Sequence, residues 1–424
     1  MRNLTVARYA RKLNWHMLTD LLKQIRENPE YFKQGIQKRN AKVDIDKVIS
    51  LDKEWRGFLS ESEFLRAEQN SISKNKQFSQ DDLEKAKSMK IRIKDLESQI
   101  KDVEKKLNEL LYSVPNIPQD DVPVGDETAS IVLREVGKKP KFKFEPKEYL
   151  DLVEDKWIDI KRAAKAIGAR FGYLKGDAVL IEYALVRMVF DKLAKHGFTP
   201  IIPPAMVSKK SMKGMGVIDS EKELLERYYF PEDEVFLIGT AEQAIGAMHQ
   251  DEVLEEENLP LRYIAFSPCF RREAGSYGKD TKGILRVHYF EKLEMFVFCK
   301  PEDSQKEQEL ILSIEEELMK DLGIPYRVMR VATGDMYNPS SSSYDIESWM
   351  PGQNQYRETH SNSNCTDFQS RRLNIKYKTT EGNKFVHTLN GTAFAIGRIL
   401  IAIIENYQQE DGSIEIPKVL KKYM

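Results

Sequence analysis

Apolar residues recur at alternating spacings of three and four along two long stretches of the N-terminal third. Val48, Leu51, Trp55, Phe58, Ser62, Leu65, Gln69 and Ile72 mark the first stripe, and Ala86, Met89, Ile93, Leu96, Ile100, Val103, Leu107, Leu110 and Val114 mark the second. That spacing is the seam of a left-handed coiled coil, with charges filling the other positions, and neither run contains a proline. The polar stretch 73–79 predicts a turn, with Ser79 and Asp82 at the start of the second helix. A short turn between matched stripes makes the helices antiparallel. With roughly 28–32 residues each at ~1.5 Å per residue, the hairpin extends on the order of 45 Å.

From Pro115 to Gly125, three prolines without periodicity mark a linker, and beyond it the pattern becomes mixed. A helix near 178–195 leads through Gly197 into a strand at 199–202. Strand-like segments recur at 235–238, 262–270, 286–298, 326–331, 343–349 and 384–390, and an apolar helix at 399–405. Strands that mostly adjoin one another, with helices set apart, predict an α+β fold with a largely antiparallel sheet flanked by helices. Neither GxxxxGK[ST] nor GxGxxG occurs, so the usual phosphate-cradling loops are absent.

Composition narrows this little further. Of 424 residues, 41% are hydrophobic and 31% charged, with a net charge of −1, so any nucleic-acid contact must come from a local patch. Lys85, Lys87, Lys90, Arg92 and Lys94, near the hairpin tip, are such a patch; they read either as a solvated helix face or as a phosphate contact. Cys269, Cys299 and Cys365 lack metal-ligand or disulfide spacing, which disfavours zinc and points to a reducing, cytoplasmic compartment. No apolar run is long enough to span a membrane. Arg2, Arg8, Arg11 and Lys12 precede any acidic residue; a short extension over 1–16 accounts for them better than a transit peptide.

Four stretches carry candidate chemistry. Phe270-Arg-Arg-Glu273 and Arg286-Val-His-Tyr-Phe-Glu-Lys-Leu-Glu294 read as two strands presenting arginine forks, carboxylates and an aromatic face, suited to a nucleotide and an amino acid. A surface ladder of opposite charges is the plainer alternative. Thr240-Ala241-Glu242 is either an N-cap or a hydroxyl and carboxylate pair for an amino acid. Glu358, Thr359, His360 and Ser361 form a polar turn or a magnesium site, since Mg²⁺ takes a few protein oxygens and bridging phosphates. His387 to Arg398 passes from strand through a glycine turn into a helix, leaving an arginine beside an apolar run.

In this order the four stretches resemble the class II aminoacyl-tRNA synthetases, and specifically the seryl-tRNA synthetases of bacterial type. Gly197 to Pro204 is similar to the first class motif, Phe270 to Arg286 to the second, and Gly391 to Arg398 to the third. Thr240-Ala-Glu242, the run to Glu294-Met and Asn406 to Pro417 are the specific marks. The resemblance implies an extension at 1–16, a tRNA-binding domain at 17–114 that includes the arm, a linker at 115–128 and a catalytic domain at 129–424. It implies ATP and L-serine as substrates with Mg²⁺, a homodimer, and tRNA(Ser), with tRNA(Sec) left open, held through the arm. Arg271, Glu273 and Arg398 would be catalytic. Phe290 and Arg398 would sandwich the adenine beside Val287 and Glu273, with Arg272, Arg286, Thr359 and His360 completing the ATP site. Glu358 and Ser361 would hold the magnesium. Thr240, Ala241 and Glu242 would receive the serine ammonium, Arg271 its carboxylate, and Glu294, Asn390 and Thr392 its hydroxyl. His360, Asn362, Gln243 and Tyr277 depart from the family pattern and bear on fine specificity. A ligase charging a carrier protein would lack the arm, and an idle paralogue would lose some of the five key charges.

Overall fold

The computed structural model describes residues 16–74, 79–218, 223–224, 226–273 and 282–424, and they fall into two compact units divided at Ile117/Pro118. The basic extension, the tip turn at 75–78 and the loop carrying Tyr277 lie outside the described residues.

The first unit is helical: α1 (His16–Glu27), α2 (Pro29–Lys38), α3 (Ile45–Ser73) and α4 (Gln80–Ser113). Asp44 caps α3 by accepting from Lys47 N at 2.9 Å. Ser79 and Asp82 form a reciprocal capping box on α4, each backbone N–H meeting the other's side chain at 3.1 Å. The α3–α4 pair is antiparallel, as the cross-links Trp55–Glu104, Glu61–Arg92 and Gln69–Ala86 require. The buried seam follows Val48, Leu51, Ile93, Leu96, Ile100, Val103 and Leu107. It departs from the stripe in two places, where Leu59 and Leu111 are buried in preference to Phe58 and Leu110. Toward the base, α1 and α2 add Leu22, Ile25, Phe32 and Ile36 to the seam. Gly35 permits this closure, because a Cβ there would lie 2.6 Å from Ile117 Cδ1.

The second unit is built on an eight-stranded sheet of β1 (Ile131–Val136), β2 (Thr199–Ile201), β3 (Leu261–Phe270), β4 (Tyr289–Cys299), β5 (Tyr326–Arg330), β6 (Ser342–Met350), β7 (Gln355–Asn364) and β8 (His387–Ala395). Their order is β1-β5-β6-β7-β8-β4-β3-β2, antiparallel throughout except for the β2–β3 edge. Its helices include α5 (Asp177–Leu193), α6 (Glu242–Ile245), α7 (Ser304–Leu322), α8 (Phe368–Leu373) and α9 (Ile396–Asn406). Gly197, at φ 78°, turns the chain from α5 toward β2.

Strand alternation places the core. Leu293, Met295, Val297 and Cys299 of β4 enter one large cluster with α5, α7 and α9. Phe296 and Phe298 turn to the opposite face and join a second cluster. Arg262 on β3 clamps Glu307 on α7 through two hydrogen bonds of 2.7 and 2.6 Å. Within the stretch 115–128, Gln119 N donates to Ser341 O at 2.9 Å, and Arg330 reaches Asp121 at 2.7 Å.

Two segments differ from the sequence reading. The polar stretch 355–364 is the full strand β7. Gly391 makes no turn; β8 runs straight through it into α9, and a Cβ there would lie 2.3 Å from Ile311 Cγ2. Among the described residues no helix is long and apolar enough to cross a membrane.

Glu182 on α5 is buried near Glu291 of β4. Burial and then that like charge raise its carboxyl to about 7. The native state therefore holds a proton the unfolded chain has lost. Glu182 contributes stability fully below its ordinary value of 4.5, and that contribution is lost as pH rises through 7. Melting curves from pH 5 to pH 8 should show the Glu182→Gln variant losing less stability than the parent, by on the order of 1–3 kcal/mol. Parallel profiles for the two proteins would contradict this.

Candidate active site

On the sheet face opposite the main helical cluster, β4, β7 and β8 with the 239–243 turn enclose a cavity of about 490 Å³. Its wall includes Thr240, Glu242, Arg271, Glu273, Arg286, Val287, Phe290, Glu358, Thr359, Ser361, Asn390, Thr392 and Arg398. Thirteen residues from four separated stretches thus meet in one place.

Register explains how they meet. Phe270 pairs with Tyr289, and just beyond, Arg271 N donates to His288 O at 2.9 Å. His288 Nδ1 lies 2.9 Å from Arg271 O, so both ends of the connection are fixed. Arg271 Nε donates to Gly239 O at 3.1 Å, and its guanidinium sits 5.2 Å from the Phe290 ring centroid. Glu273, at φ 49°, pairs with Arg286.

At one end of the cavity, Glu242 is held by the Tyr337 hydroxyl at 2.9 Å and Gln369 Nε2 at 2.8 Å, both donating to Oε1. Asn390 Nδ2 donates to the same Tyr337 oxygen at 2.8 Å. A hydroxyl that donates to the carboxylate while accepting from the amide fixes two candidate substrate contacts at once.

At the other end, a β-bulge arranges the carboxylates. Ile346 pairs with His360 and Glu347 with Glu358, leaving Thr359 unopposed. The extra residue keeps Glu358 on the cavity face with Ser361, and Ser361 pairs with Asp345 across the ladder. Arg398 Nη1 lies 3.0 Å from both the Glu358 carboxylate and its backbone oxygen. Burial works against charge on Glu358, but Arg398, then Arg271 and Lys292, hold its carboxyl below the ordinary range. Asp345 is pushed well up by burial and by Glu358. Two carboxylates, one kept charged and its neighbour raised by burial and then repulsion, with a hydroxyl between strands, are hard oxygen donors suited to a divalent cation.

Four expected residues do not line the cavity. Arg272 follows Arg271 on an extended chain, so it points away and covers the Tyr228 ring at 5.1 Å. Ala241 packs into the second cluster. His360 is buried on the helical side against Phe394, with Nδ1 2.9 Å from Thr359 Oγ1; burial lowers it to about 3, leaving it neutral. Glu294 lies beneath the wall, paired with Lys292, and burial raises its carboxyl. Conversely, Lys292, Tyr337, Asp345 and Arg227 line the cavity without having been singled out. Asp345 had a signal, since it lies in a strand-like run whose alternate residues share a face. Lys292 had one too, on the face of β4 it shares with Phe290, whereas Tyr337 and Arg227 had none.

The three cysteines are free and buried. Among the described residues no group of three or more His, Cys, Asp or Glu side chains stands ready to hold a metal without further ligands.

Comparison with known proteins bears on the whole chain. Residues 20–118 match the seryl-tRNA synthetase N-terminal domain, and residues 228–407 match the tRNA synthetase class II core domain (G, H, P, S and T). The serine--tRNA ligase of Nitrosopumilus maritimus is 41% identical over 413 residues, 95% of this chain and 98% of the relative. That of Dictyoglomus turgidum is 43% identical over 95% and 97%. Relatives thus come from archaea as well as bacteria, and they do not distinguish a bacterial type. The crystal structure of seryl-tRNA synthetase from Pyrococcus horikoshii complexed with ATP superimposes with a TM-score of 0.89 at 41% identity, covering 95% of this chain and 97% of that one. With two domain matches in order and relatives similar from end to end, the chain belongs to the seryl-tRNA synthetases, within class II of the aminoacyl-tRNA synthetases.

Proposed function

We propose that this chain is a serine–tRNA ligase that forms seryl-adenylate from L-serine and ATP and then charges tRNA(Ser). A serine carboxylate oxygen attacks the α-phosphorus of ATP, the bond to the β-phosphate bridging oxygen breaks, and pyrophosphate leaves. The terminal ribose hydroxyl of the tRNA then attacks the seryl carbonyl, and AMP departs. The observation that carries this reading is the convergence on one cavity of Arg271, Phe290, Glu358, Arg398, Glu242 and Asn390, in a chain similar to serine–tRNA ligases over nearly its full length.

In this reading Arg271 neutralises charge on the α-phosphate and the attacking carboxylate, and fixed donors need no reorganisation during the reaction. The adenine lies on Phe290 beside Val287, with Glu273 and Arg286 at its edge and Arg398 over its other face. Glu358 and Ser361, joined by Asp345, would hold the magnesium, which would supply charge neutralisation on the phosphates. Thr240 and Glu242 take the serine ammonium. Thr392 and Asn390 read its hydroxyl, and Glu294 acts from beneath them through Lys292. Leu180 and Tyr183 on α5, with Ile202 beyond the edge strand β2, are exposed apolar residues that suit a homodimer contact. The α3–α4 arm, with Lys85, Lys87, Lys90, Arg92 and Lys94, takes the tRNA by shape and phosphate contact.

Pyrophosphate exchange run with serine, threonine, alanine and glycine tests the reaction. Exchange should depend on serine and discriminate against alanine and glycine by ~10⁴–10⁵, because they leave hydroxyl-reading groups unpaired. Absence of exchange with millimolar serine would sink the assignment. Discrimination against threonine rests on space for one methyl group, about 1–3 kcal/mol.

Glu358→Gln should raise the magnesium concentration for half-maximal exchange by roughly tenfold or more while leaving the KM for serine near the parent value. An unchanged magnesium titration would remove Glu358 from the metal site. Replacing 46–110 by a short turn should spare serine-dependent exchange and abolish tRNA charging. Normal charging by the shortened protein would refute the role of the arm.

A further inference from the structure

Arg227 lies on the cavity wall and takes no part in the reading above. Its backbone is fixed in a turn, with Arg227 N donating to Leu224 O at 3.2 Å and the next residue's carbonyl accepting from Leu237 N at 3.0 Å. Its side chain reaches Gly239, where Nη1 would lie 3.7 Å from a Cβ. Arg271 binds the carbonyl of that same glycine. The two guanidiniums therefore flank one backbone unit, immediately before Thr240 and Glu242.

The Arg227 charge is only partly answered by the protein. Its Nε is buried and has no hydrogen-bond partner, and no ion pair forms to its guanidinium among the described residues. Burial, then the like charge of Arg271, depress its pKa, with Glu226, Glu223 and Glu273 only partly offsetting them. A guanidinium does not shed its proton to escape such a position, as a buried lysine does. A buried unpaired donor beside a second cation is costly, and the cost is removed when an anion binds both.

We propose that Arg227 is a second oxyanion-binding residue of the active site, which closes with Arg271 on the carboxylate of the incoming amino acid. This rests on the assignment of the 240–242 turn to the amino acid. The position of Arg227 beside Gly239, immediately before Thr240 and Glu242, favours the carboxylate over an ATP phosphate. A planar fork on each side of the carboxylate also holds its attacking oxygen in a fixed direction, which favours in-line displacement.

Arg227→Gln and Arg227→Lys in the full chain, assayed by pyrophosphate exchange, test the proposal, with serinol as a competitor that keeps the ammonium and hydroxyl groups but has no carboxylate. Arg227→Gln should raise the KM for serine at least tenfold, leave the KM for ATP and the inhibition constant of serinol within twofold, and be partly restored in Arg227→Lys. A rise in the KM for ATP alone would overturn the carboxylate assignment in favour of a phosphate. Loss of serinol affinity in step with serine, or no change in any constant, would overturn it altogether by leaving Arg227 a structural residue. A parent protein without serine-dependent exchange would instead refute the broader functional reading. Calorimetric binding of serine against serinol would then still test Arg227.

Discussion

The two-residue period of β4 is the constraint on which the rest depends. Odd-numbered side chains from Leu293 to Cys299 enter the core with α5, α7 and α9, while even-numbered ones from Phe290 onward form the floor of the cavity and the second cluster. A one-residue slip would put Lys292 and Glu294 into hydrocarbon and Leu293 into the site. The apolar half of the strand thus fixes the geometry of its chemical half. The clamp of Arg262 on Glu307 supports the same register from the neighbouring strand.

The charges in the cavity are arranged by position along that floor. Glu242 stands at one end, with Tyr337, Gln369 and Asn390 fixing its orientation. Glu358 and Asp345 stand at the other, with Arg398 over them. Arg271 and Arg227 lie nearer the first end, so oppositely charged parts of a substrate find opposite partners along one line. The site is preorganised for charge separation, with few groups positioned for proton transfer. His360, the histidine closest in sequence to these ligands, is turned away and uncharged.

Much of this was legible in the sequence, and what was hidden had a physical cause. The arm was plain because a heptad seam needs only apolar spacing. The strand β7 was not, because both of its faces are polar. Ser361 and Ser363 face the cavity, while Asn362 and Asn364 meet Glu315 and Ser304 of α7 on the other side at 2.8 and 2.7 Å. Alternation of apolar and polar residues cannot reveal a strand whose buried face is hydrogen-bonded. Gly391 read as a turn for a related reason: a glycine inside a strand signals either a bend or the close approach of a neighbour, and here the neighbour is Ile311. Arg272 could have been set aside from sequence, because adjacent residues on an extended chain face opposite ways. Arg227 and Tyr337 could not, since only the fold brings them to residues far away in the chain.

The bulge at Thr359 acts on the chain as a frameshift acts on a gene. Downstream of it, β7 is read in one phase of the pleat, and upstream in the other. Substitution at 359 changes one side chain, but a regular pleat with Thr359 still in it would set Glu358 in phase with His360 and turn it away from the cavity. Spacing through this segment is itself part of the active site, as much as the identity of any residue in it.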